Sequence, residues 1–332
     1  MGQRIVERGG LGAGTLIGRL ALLLVISGVI FLLIEAAPGD PLGQVPLTLS
    51  PEVRDRMRAA LGMDQPWHLR YLLWLKQLFW IEPLHWLGID AGQRLISYQS
   101  RAPVFDVIAE RLPQTLWVVG GGYLAGAALA LPMGLIAGWR PGGWLDRACT
   151  GLAMLGWSLP TFLTGVLLVL IFGVWLGWLP SVYDTTLRVQ GWEGLAQQAR
   201  QMVMPVAVLA LYNAGQLSRV LRAAMVQAAA QDYIRTARAK GMPTRVVLWH
   251  MLRNALLPVV TVVALGLPGV FGGAIITEQV FRVNGLGQLL IGAVQANDLP
   301  MVLTLTFLFG ALIVLCNLVA DALYRWLDPR LG

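Results

Sequence analysis

The sequence predicts an all-α integral membrane protein with six transmembrane helices. Of its 332 residues, 56% are hydrophobic and only 13% are charged, whereas soluble domains carry about 25% charged residues. A helix needs about 20 predominantly apolar residues to cross a bilayer. Runs of that kind occur at 16–34, 116–138, 149–176, 203–220, 257–281 and 300–323. This composition excludes a water-soluble globule and a disordered chain.

The basic residues predict that both the N and C termini are cytoplasmic, because short cytoplasmic loops carry an excess of Lys and Arg. With that orientation, the cytoplasmic loop between the fourth and fifth runs is the most basic: it holds Arg219, Arg222, Arg235, Arg238, Lys240, Arg245 and Arg253. The short outer loops hold Arg188, Arg200 and Arg282. The net charge of +7 is thus spread over loops, and we expect no nucleic-acid partner.

The chain divides into four predicted parts. Residues 1–36 form the cytoplasmic N-terminus and the first transmembrane helix, and residues 37–113 form an external segment with short interfacial helices. Residues 114–325 form a transmembrane domain of five helices with a cytoplasmic loop at 222–257. Residues 326–332 form a cytoplasmic tail.

Two short helices are predicted in the external segment. Pro51 suits a first helical position and Gly62 a helix end. A second helix, from Pro66 to about Trp80, is rich in aromatic residues: Trp67, Tyr71, Trp74 and Trp80. Such residues favour the headgroup level of a membrane, so we expect this helix to lie in the interface.

Glycines at a spacing of four residues occur in two of the runs. The pairs are Gly122 with Gly126, Gly134 with Gly138, and Gly269 with Gly273. Small residues at this spacing permit close helix approach. They predict general packing within the bundle, with a specific dimer seam as the alternative.

The residues that an enzyme would need are not found in the required patterns. Neither Lys76 nor Lys240 lies in a P-loop, whose lysine reaches the phosphates of a nucleotide. His68, His85 and His250 fall outside the apolar runs, so a hydrolytic site inside the membrane has no base. We therefore expect that this chain has no catalytic residue, metal site or cofactor of its own.

Glu278 is the ionisable residue that best fits a role inside the membrane, since such groups are costly there and are usually functional. It lies three residues before the end of the fifth run. That depth favours an external gate, with Phe281, over a proton relay. The alternative is a carboxylate at a helix end that bonds to a neighbouring loop.

The stretch between the fourth and fifth runs predicts a helix-turn-helix hairpin. Residues 228–240 favour a helix, Gly241 and Pro243 break it, Thr244 caps a second helix, and Pro258 marks the start of the fifth span. An ordinary basic loop near anionic lipid would carry much of the same charge. The small residues of the first helix favour docking in a groove of another protein; they are Ala228, Ala229, Ala230, Ala237 and Ala239.

Several sequence motifs resemble one family. DYIRTARAKG (232–241), His250 and RNALLPVVT (253–261) look like the coupling loop of inner-membrane permease subunits of binding-protein-dependent ABC importers, in the dipeptide, oligopeptide and nickel branch. Further matches are PGDP (38–41), LGMDQP (61–66), RLPQT (111–115), TEQVF (277–281), GLG (285–287) and DPR (328–330). Two departures are Arg235–Thr236–Ala237, where the general motif has EAA, and GQRLISYQS (92–100) in place of GD-[LF]-G.

The resemblance implies the type I ABC importer transmembrane fold in a bacterial inner membrane. It implies that the chain forms half of a path for peptides or similar solutes. The implied partners are a sister permease, two cytoplasmic ATPase subunits that bind ATP and magnesium, an external substrate-binding protein and membrane lipid. The implied ATPase-coupling residues are Asp232, Tyr233, Arg235, Ala237, Arg238, Gly241, Arg245, His250 and Arg253.

Polar residues in the predicted spans are candidates to line the path: Ser158, Asn213, Gln216 and Ser218. Ser158 and Asn213 are equally suited to bond to neighbouring backbone within the bundle. Two other classes of function stay open, an ion-coupled secondary transporter or channel that works without ATPase partners, and a structural membrane scaffold.

Overall fold

A computed structural model describes residues 13–36, 50–60, 62–185, 187 and 191–327. The regular elements in these ranges are all helices, which confirms the predicted all-α class. The motif matches PGDP and DPR lie outside the described residues.

Twelve α-helices follow one another along the described chain, and two of them continue into π-helical turns. The first four are α1 (Ala13–Ala36), α2 (Pro51–Ala60), α3 (Trp67–Lys76, continuing as a π-helix at Gln77–Ile81) and α4 (Glu82–Trp86). The next four are α5 (Val104–Trp139), α6 (Trp144–Ser158), α7 (Thr161–Leu168, continuing as a π-helix at Val169–Trp175) and α8 (Gly191–Ala229). The last four are α9 (Asp232–Ala239), α10 (Thr244–Phe281), α11 (Leu286–Gln295) and α12 (Leu299–Leu327).

Four of these helices contain stretches long and apolar enough to cross a membrane, in α1, α5, α10 and α12. A fifth span is possible if α6 and α7, which meet at a bend of 102°, are counted as one. The predicted fourth run, 203–220, lies within α8, which does not meet the same test. Several apolar helices are therefore confirmed, whereas the count of six is not.

The described residues form two compact units. One unit contains the described residues up to Arg111 together with Leu289–Leu315, and the other contains Leu112–Gln288 and the described residues from Cys316 onward. The predicted hairpin, gate and path residues all belong to the second unit.

Glycines of α5 allow α8 to pack against it at very short distance. A Cβ atom built on any of four of them would lie only 2.5–2.7 Å from the Cβ atom of a residue of α8. The pairs are Gly122 with Leu209, Gly126 with Asn213, Gly134 with Leu221, and Gly138 with Met225. The residue numbers increase in the same direction and by the same steps of four or eight on both helices, so α5 and α8 run parallel. Residues four apart lie on one ridge of a helix, so the glycines of α5 form a groove for one ridge of α8. The glycines thus serve packing within the chain, while the surroundings of Gly269 and Gly273 lie outside the described side chains.

Helix α8 is also covered by α6 and α10. Gly215 approaches the carbonyl of Ala153, and Gly156 approaches the carbonyl of Leu211, so α6 runs antiparallel to α8. An apolar cluster joins the last turns of α8 to the first part of α10. Because α8 is shielded on several sides, it can carry buried polar residues such as Gln201 and Asn213. This shielding accounts for the polar residues of α8, which does not meet the length and hydropathy test for a membrane span.

The short helices predicted between the first and second apolar runs are largely present in the structure. Helix α2 begins at Pro51, and Gly62 follows its end with a φ of +66°. Trp67 and Trp80 are exposed, as an interfacial position requires. Trp74, however, is buried and donates a hydrogen bond to Thr304 Oγ1 at 3.2 Å. The expectation that Trp74 faces lipid headgroups is wrong, because its ring packs inside the first unit.

Two buried carboxylates in the first unit hold the divergent stretch 92–100. Glu82 accepts hydrogen bonds from the guanidinium of Arg94 and from the Leu95 N–H. Hydrogen bonds to Asp106 and Glu82 raise the pKa of Arg94 above its ordinary value. Asp298 accepts the Tyr98 N–H at 3.0 Å. The stretch that departs from the family motif therefore has its backbone held by hydrogen bonds to two buried carboxylates.

Candidate functional site

The predicted hairpin is present, with different boundaries. Ala228 and Ala229 belong to the end of α8, and the short helix α9 begins only at Asp232. Gly241 follows α9 with a φ of +66°, and a Cβ atom there would meet nothing within 4 Å. The glycine is therefore needed for its left-handed backbone and not for space. The predicted Thr244 cap is wrong, because Pro243 occupies the cap position without a side-chain bond and Thr244 is already helical.

Helix α9 is anchored to its own chain by its apolar side. Ile234 is fully buried and Ala237 is 7% exposed, in a cluster with Leu221, Met225 and Met251. The small residues do not form the predicted docking stripe, because Ala237 faces inward and Ala228 lies on another helix. Close packing of α8, α9 and α10 accounts for the small size of Ala228 and Ala237, whereas Ala230 and Ala239 are exposed.

The opposite side of the hairpin is exposed and basic. The side chains of Asp232 and Arg235 are 95% and 73% exposed and form a loose pair at 3.4 Å. The other exposed coupling candidates are Tyr233, Arg238, Gly241, Arg245, His250 and Arg253. Tyr233 also receives a hydrogen bond at its hydroxyl from Asn254 Nδ2 at 3.1 Å. The structure thus leaves these candidates exposed on α9, the turn and the first part of α10, and the Tyr233–Asn254 hydrogen bond joins the two helices.

Helix α10 does not begin at Pro258. It runs unbroken from Thr244 to Phe281 through this proline. Ala255 and Val259 on either side are buried against neighbouring helices, and such packing offsets the hydrogen bond that proline removes. The second arm of the hairpin and the predicted fifth span are therefore one helix.

Three motifs that are far apart in sequence meet at Glu278. This residue is fully buried, and Thr115 Oγ1 donates a hydrogen bond to its carboxylate at 2.7 Å. The backbone N–H groups of Gly287 and Gln288 donate to the same carboxylate at 2.7 and 3.1 Å. A Cβ atom on Gly285 would overlap the carboxyl group. The structure therefore shows the alternative to a gate, a helix-end carboxylate bonded to a neighbouring loop.

Phe281 lies close to this carboxylate in sequence and is also buried. Its side chain is 3% exposed in an apolar cluster with Tyr183 and Met202. Its carbonyl accepts a hydrogen bond from the Tyr183 N–H at 3.1 Å. Both gate candidates therefore hold the C-terminal end of α10 in place, and a gating role stays a prediction.

The four path candidates occupy different environments. Ser158 is exposed and Gln216 is half-buried. Asn213 is buried, and its side-chain amide donates a hydrogen bond to the Leu209 carbonyl of its own helix at 2.8 Å. This bond to neighbouring backbone is the alternative that the sequence offered to a path-lining role. Ser218 is buried between α8 and its neighbours. The path-lining role of these residues stays a prediction.

Sequence reasoning missed an ion pair between a buried carboxylate and a partly exposed arginine at the opposite end of the second unit. Arg222 Nε and Nη2 donate to the two oxygens of Asp146 at 2.6 and 2.8 Å. Arg222 was interpreted only as one of the basic loop residues. An acidic residue in the first turn of α6 was the available signal, but its partner on α8 depends on the tertiary fold.

Comparison with known proteins identifies the family. Residues 130–332 match the family described as binding-protein-dependent transport system inner membrane component, and residues 13–119 match the N-terminal part of such components. The chain belongs to this family. It is therefore a permease component of a binding-protein-dependent ABC importer in the inner membrane, and not itself an enzyme.

Relatives match over nearly the whole chain. A putative peptide transport system permease of Brucella abortus is 36% identical over 93% of this chain and 94% of its own length. The oligopeptide transport system permease AppB of Bacillus subtilis is 33% identical over 93% of this chain and 95% of its own.

Solved structures confirm the fold. The MetNI methionine ABC transporter in an inward-facing conformation matches with a TM-score of 0.52 and 19% identity, over 68% of this chain and 97% of that chain. An amino acid ABC transporter matches with a TM-score of 0.50 and 13% identity, over 67% and 94%. The helical fold is that of ABC importer transmembrane subunits.

Proposed function

We propose that the chain forms half of the translocation path of a peptide importer. The names of the relatives from Brucella and Bacillus support peptides as the solute class. A sister permease completes the path, two cytoplasmic ATPase subunits bind ATP and magnesium, and an external protein delivers the solute. The single observation that carries this proposal is a short helix, α9, with one side anchored in the chain and the other exposed and basic.

In this proposal the exposed surface of α9 docks in a cleft of an ATPase subunit. Burial of Ile234 and Ala237 supports a firm attachment, so force on α9 reaches α8 and α10. Arg238 and Arg245 are exposed and suited to charge-assisted hydrogen bonds with a partner. Gly241 sets the turn that separates α9 from α10.

We also propose that α8 is a sixth span and that both termini are cytoplasmic. Its parallel course beside α5 and antiparallel course beside α6 support this topology. The basic residues around α9 then lie in the cytoplasm, in keeping with the charge bias of inner-membrane proteins.

Within the path we place Ser158 and Gln216, whose side chains are accessible. Asn213 and Ser218 are buried between helices, so in this proposal they support the wall of the path without contacting the solute. Glu278 and Phe281 contribute to outer closure by fixing the end of α10.

Site-specific cross-linking tests the docking. In the complete assembly, Arg238→Cys labelled with a short photoreactive group is expected to cross-link to an ATPase subunit. Trp192→Cys is the matched control, because Trp192 is 85% exposed at the other end of α8. Cross-linking of Arg238→Cys to lipid alone, in an assembly that still transports, contradicts the proposal.

Reconstitution tests the function class. Proteoliposomes with the complete assembly are expected to take up alanine di-, tri- and tetrapeptides only with ATP and the binding protein. Uptake by this chain alone identifies a secondary transporter or channel instead. An assembly that hydrolyses ATP but moves none of these peptides overturns the peptide assignment.

A further inference from the structure

The carboxylate of Asp146 is buried and fully hydrogen-bonded in the first turn of α6. Its side chain accepts the Gly142 N–H at 2.8 Å and the Thr150 hydroxyl at 3.1 Å. Arg222 adds two further bonds, one to each oxygen. Asp146 is 3% exposed, whereas the Arg222 side chain is 34% exposed, so the carboxylate is buried and its guanidinium partner is partly exposed.

Arg222 extends from the same part of α8 that carries α9. Leu221 and Met225, on either side of it in sequence, belong to the cluster that buries Ile234 of α9. The end of α8, the whole of α9 and the beginning of α10 are thus packed as one body. Arg222 connects this body to α6 through a bond that is both charged and bidentate.

Helix α6 is a short and separate rod. It ends at Ser158, and the following helix turns away by 102°. Apolar helix contacts permit small sliding movements, whereas a bidentate pair fixes two groups in one geometry. A second contact lies near the other end of α6, where the Arg219 guanidinium stands 4.1 Å from the centre of the Trp157 ring.

We propose that Asp146 and Arg222 are positioning residues that pass displacement of α9 to α6. When an ATPase subunit moves α9, the end of α8 moves with it, and the ion pair makes α6 follow. The pair does not contact solute or nucleotide in this account. The inference rests on the proposed coupling role of α9.

The experiment measures peptide uptake and ATP hydrolysis in the same proteoliposomes with the complete assembly and the alanine peptide mixture. Asp146→Asn and Arg222→Lys each weaken the bidentate charged pair. We expect uptake per ATP hydrolysed to fall at least fivefold for Asp146→Asn and less for Arg222→Lys. Arg147→Gln is the control, because Arg147 is exposed and, among the described residues, donates to the Gly142 carbonyl at 3.2 Å and not to Asp146.

A ratio of uptake to hydrolysis that equals the wild-type ratio in both variants overturns the proposal, since a merely structural role lowers both activities together. If Asp146→Asn does not assemble, the ratio measured for Arg222→Lys alone decides whether the proposal holds. If neither variant assembles, the pair is needed for assembly and the proposal is overturned. The wild-type assembly separates the two ideas: if it does not transport with ATP, the proposed function itself fails.

A distance measurement gives a readout that does not depend on the solute. Spin labels at Leu155 on α6 and Thr236 on α9, both exposed, are introduced after both native cysteines are replaced by serine. We expect ATP and vanadate to leave their separation unchanged in the wild type and to shift or broaden it in Asp146→Asn. Equal behaviour of both proteins contradicts the proposal.

Discussion

The two ends of α10 use acidic residues in opposite ways. At one end, Glu278 is fully buried and accepts hydrogen bonds from a hydroxyl and two backbone N–H groups. Near the other end, Asp232 of α9 is 95% exposed and has only a loose ion pair with Arg235. Both residues belong to motifs that resemble the same family, yet one holds the chain together and the other faces outward.

This difference shows that a motif's specificity does not reveal its physical role. Three of the motifs are held to one another by hydrogen bonds within the chain. They are RLPQT, TEQVF and GLG, and Glu278 accepts hydrogen bonds from Thr115 and from the Gly287 N–H. DYIRTARAKG is only partly explained by internal contacts, since its buried residues are Ile234 and Ala237. The exposed remainder of that motif is therefore available for a partner.

The largest expected effect comes from removing the buried carboxylate. Glu278→Ala leaves the Thr115 hydroxyl and the N–H groups of Gly287 and Gln288 without their acceptor, at about 1–3 kcal/mol for each unsatisfied group. We expect a loss of about 3 kcal/mol or more of unfolding free energy, measured by denaturant unfolding in detergent. Glu278→Gln is the matched control, because it keeps one acceptor oxygen and loses less. Wild-type stability of Glu278→Ala would contradict the structural role.

A smaller effect on stability, with a larger one on transport, is expected at Gly241. Valine at a φ of +66° costs about 1–2 kcal/mol and disfavours the turn after α9. We expect ATP-driven peptide uptake to fall severalfold at normal expression. Gly241→Asn serves as the comparison, because asparagine tolerates the left-handed region. Undiminished uptake by the valine variant would remove the turn from the mechanism.

The smallest effect on stability is expected at the surface pair of α9. Asp232→Asn breaks an exposed ion pair that solvent already screens, so the melting temperature is expected to match the wild type. Binding of purified ATPase subunit, followed by surface plasmon resonance, is expected to change. A melting temperature that falls as far as that of Glu278→Ala would erase the contrast between the two ends.

The sequence was sufficient for features that depend on local chemistry. Pro51 and Gly62 mark the ends of α2 correctly, and Gly241 marks the turn after α9, since each acts through its own backbone. The apolar runs located the long helices for the same reason. The family resemblance added the function class, which composition and spacing alone left open.

Features that depend on tertiary packing were not predictable in the same way. Helix α10 continues through Pro258 because neighbouring helices support it, and Trp74 turns inward because Thr304 offers an acceptor. The hydrogen bonds of Glu278 depend on a loop whose position is set by the tertiary fold. The partnership of Asp146 and Arg222 joins residues far apart in sequence, and no local pattern indicates it.

The unbroken course of α10 has a mechanical consequence. Its 38 residues span about 57 Å at 1.5 Å per residue, which is nearly twice the roughly 30 Å of a bilayer's hydrocarbon core. A tilt of about 10° around the midpoint of such a rod moves its tips by about 5 Å in opposite directions. A tilt of α10 therefore moves the residues around Glu278 and the residues that pack against α9 at the same time and in opposite directions.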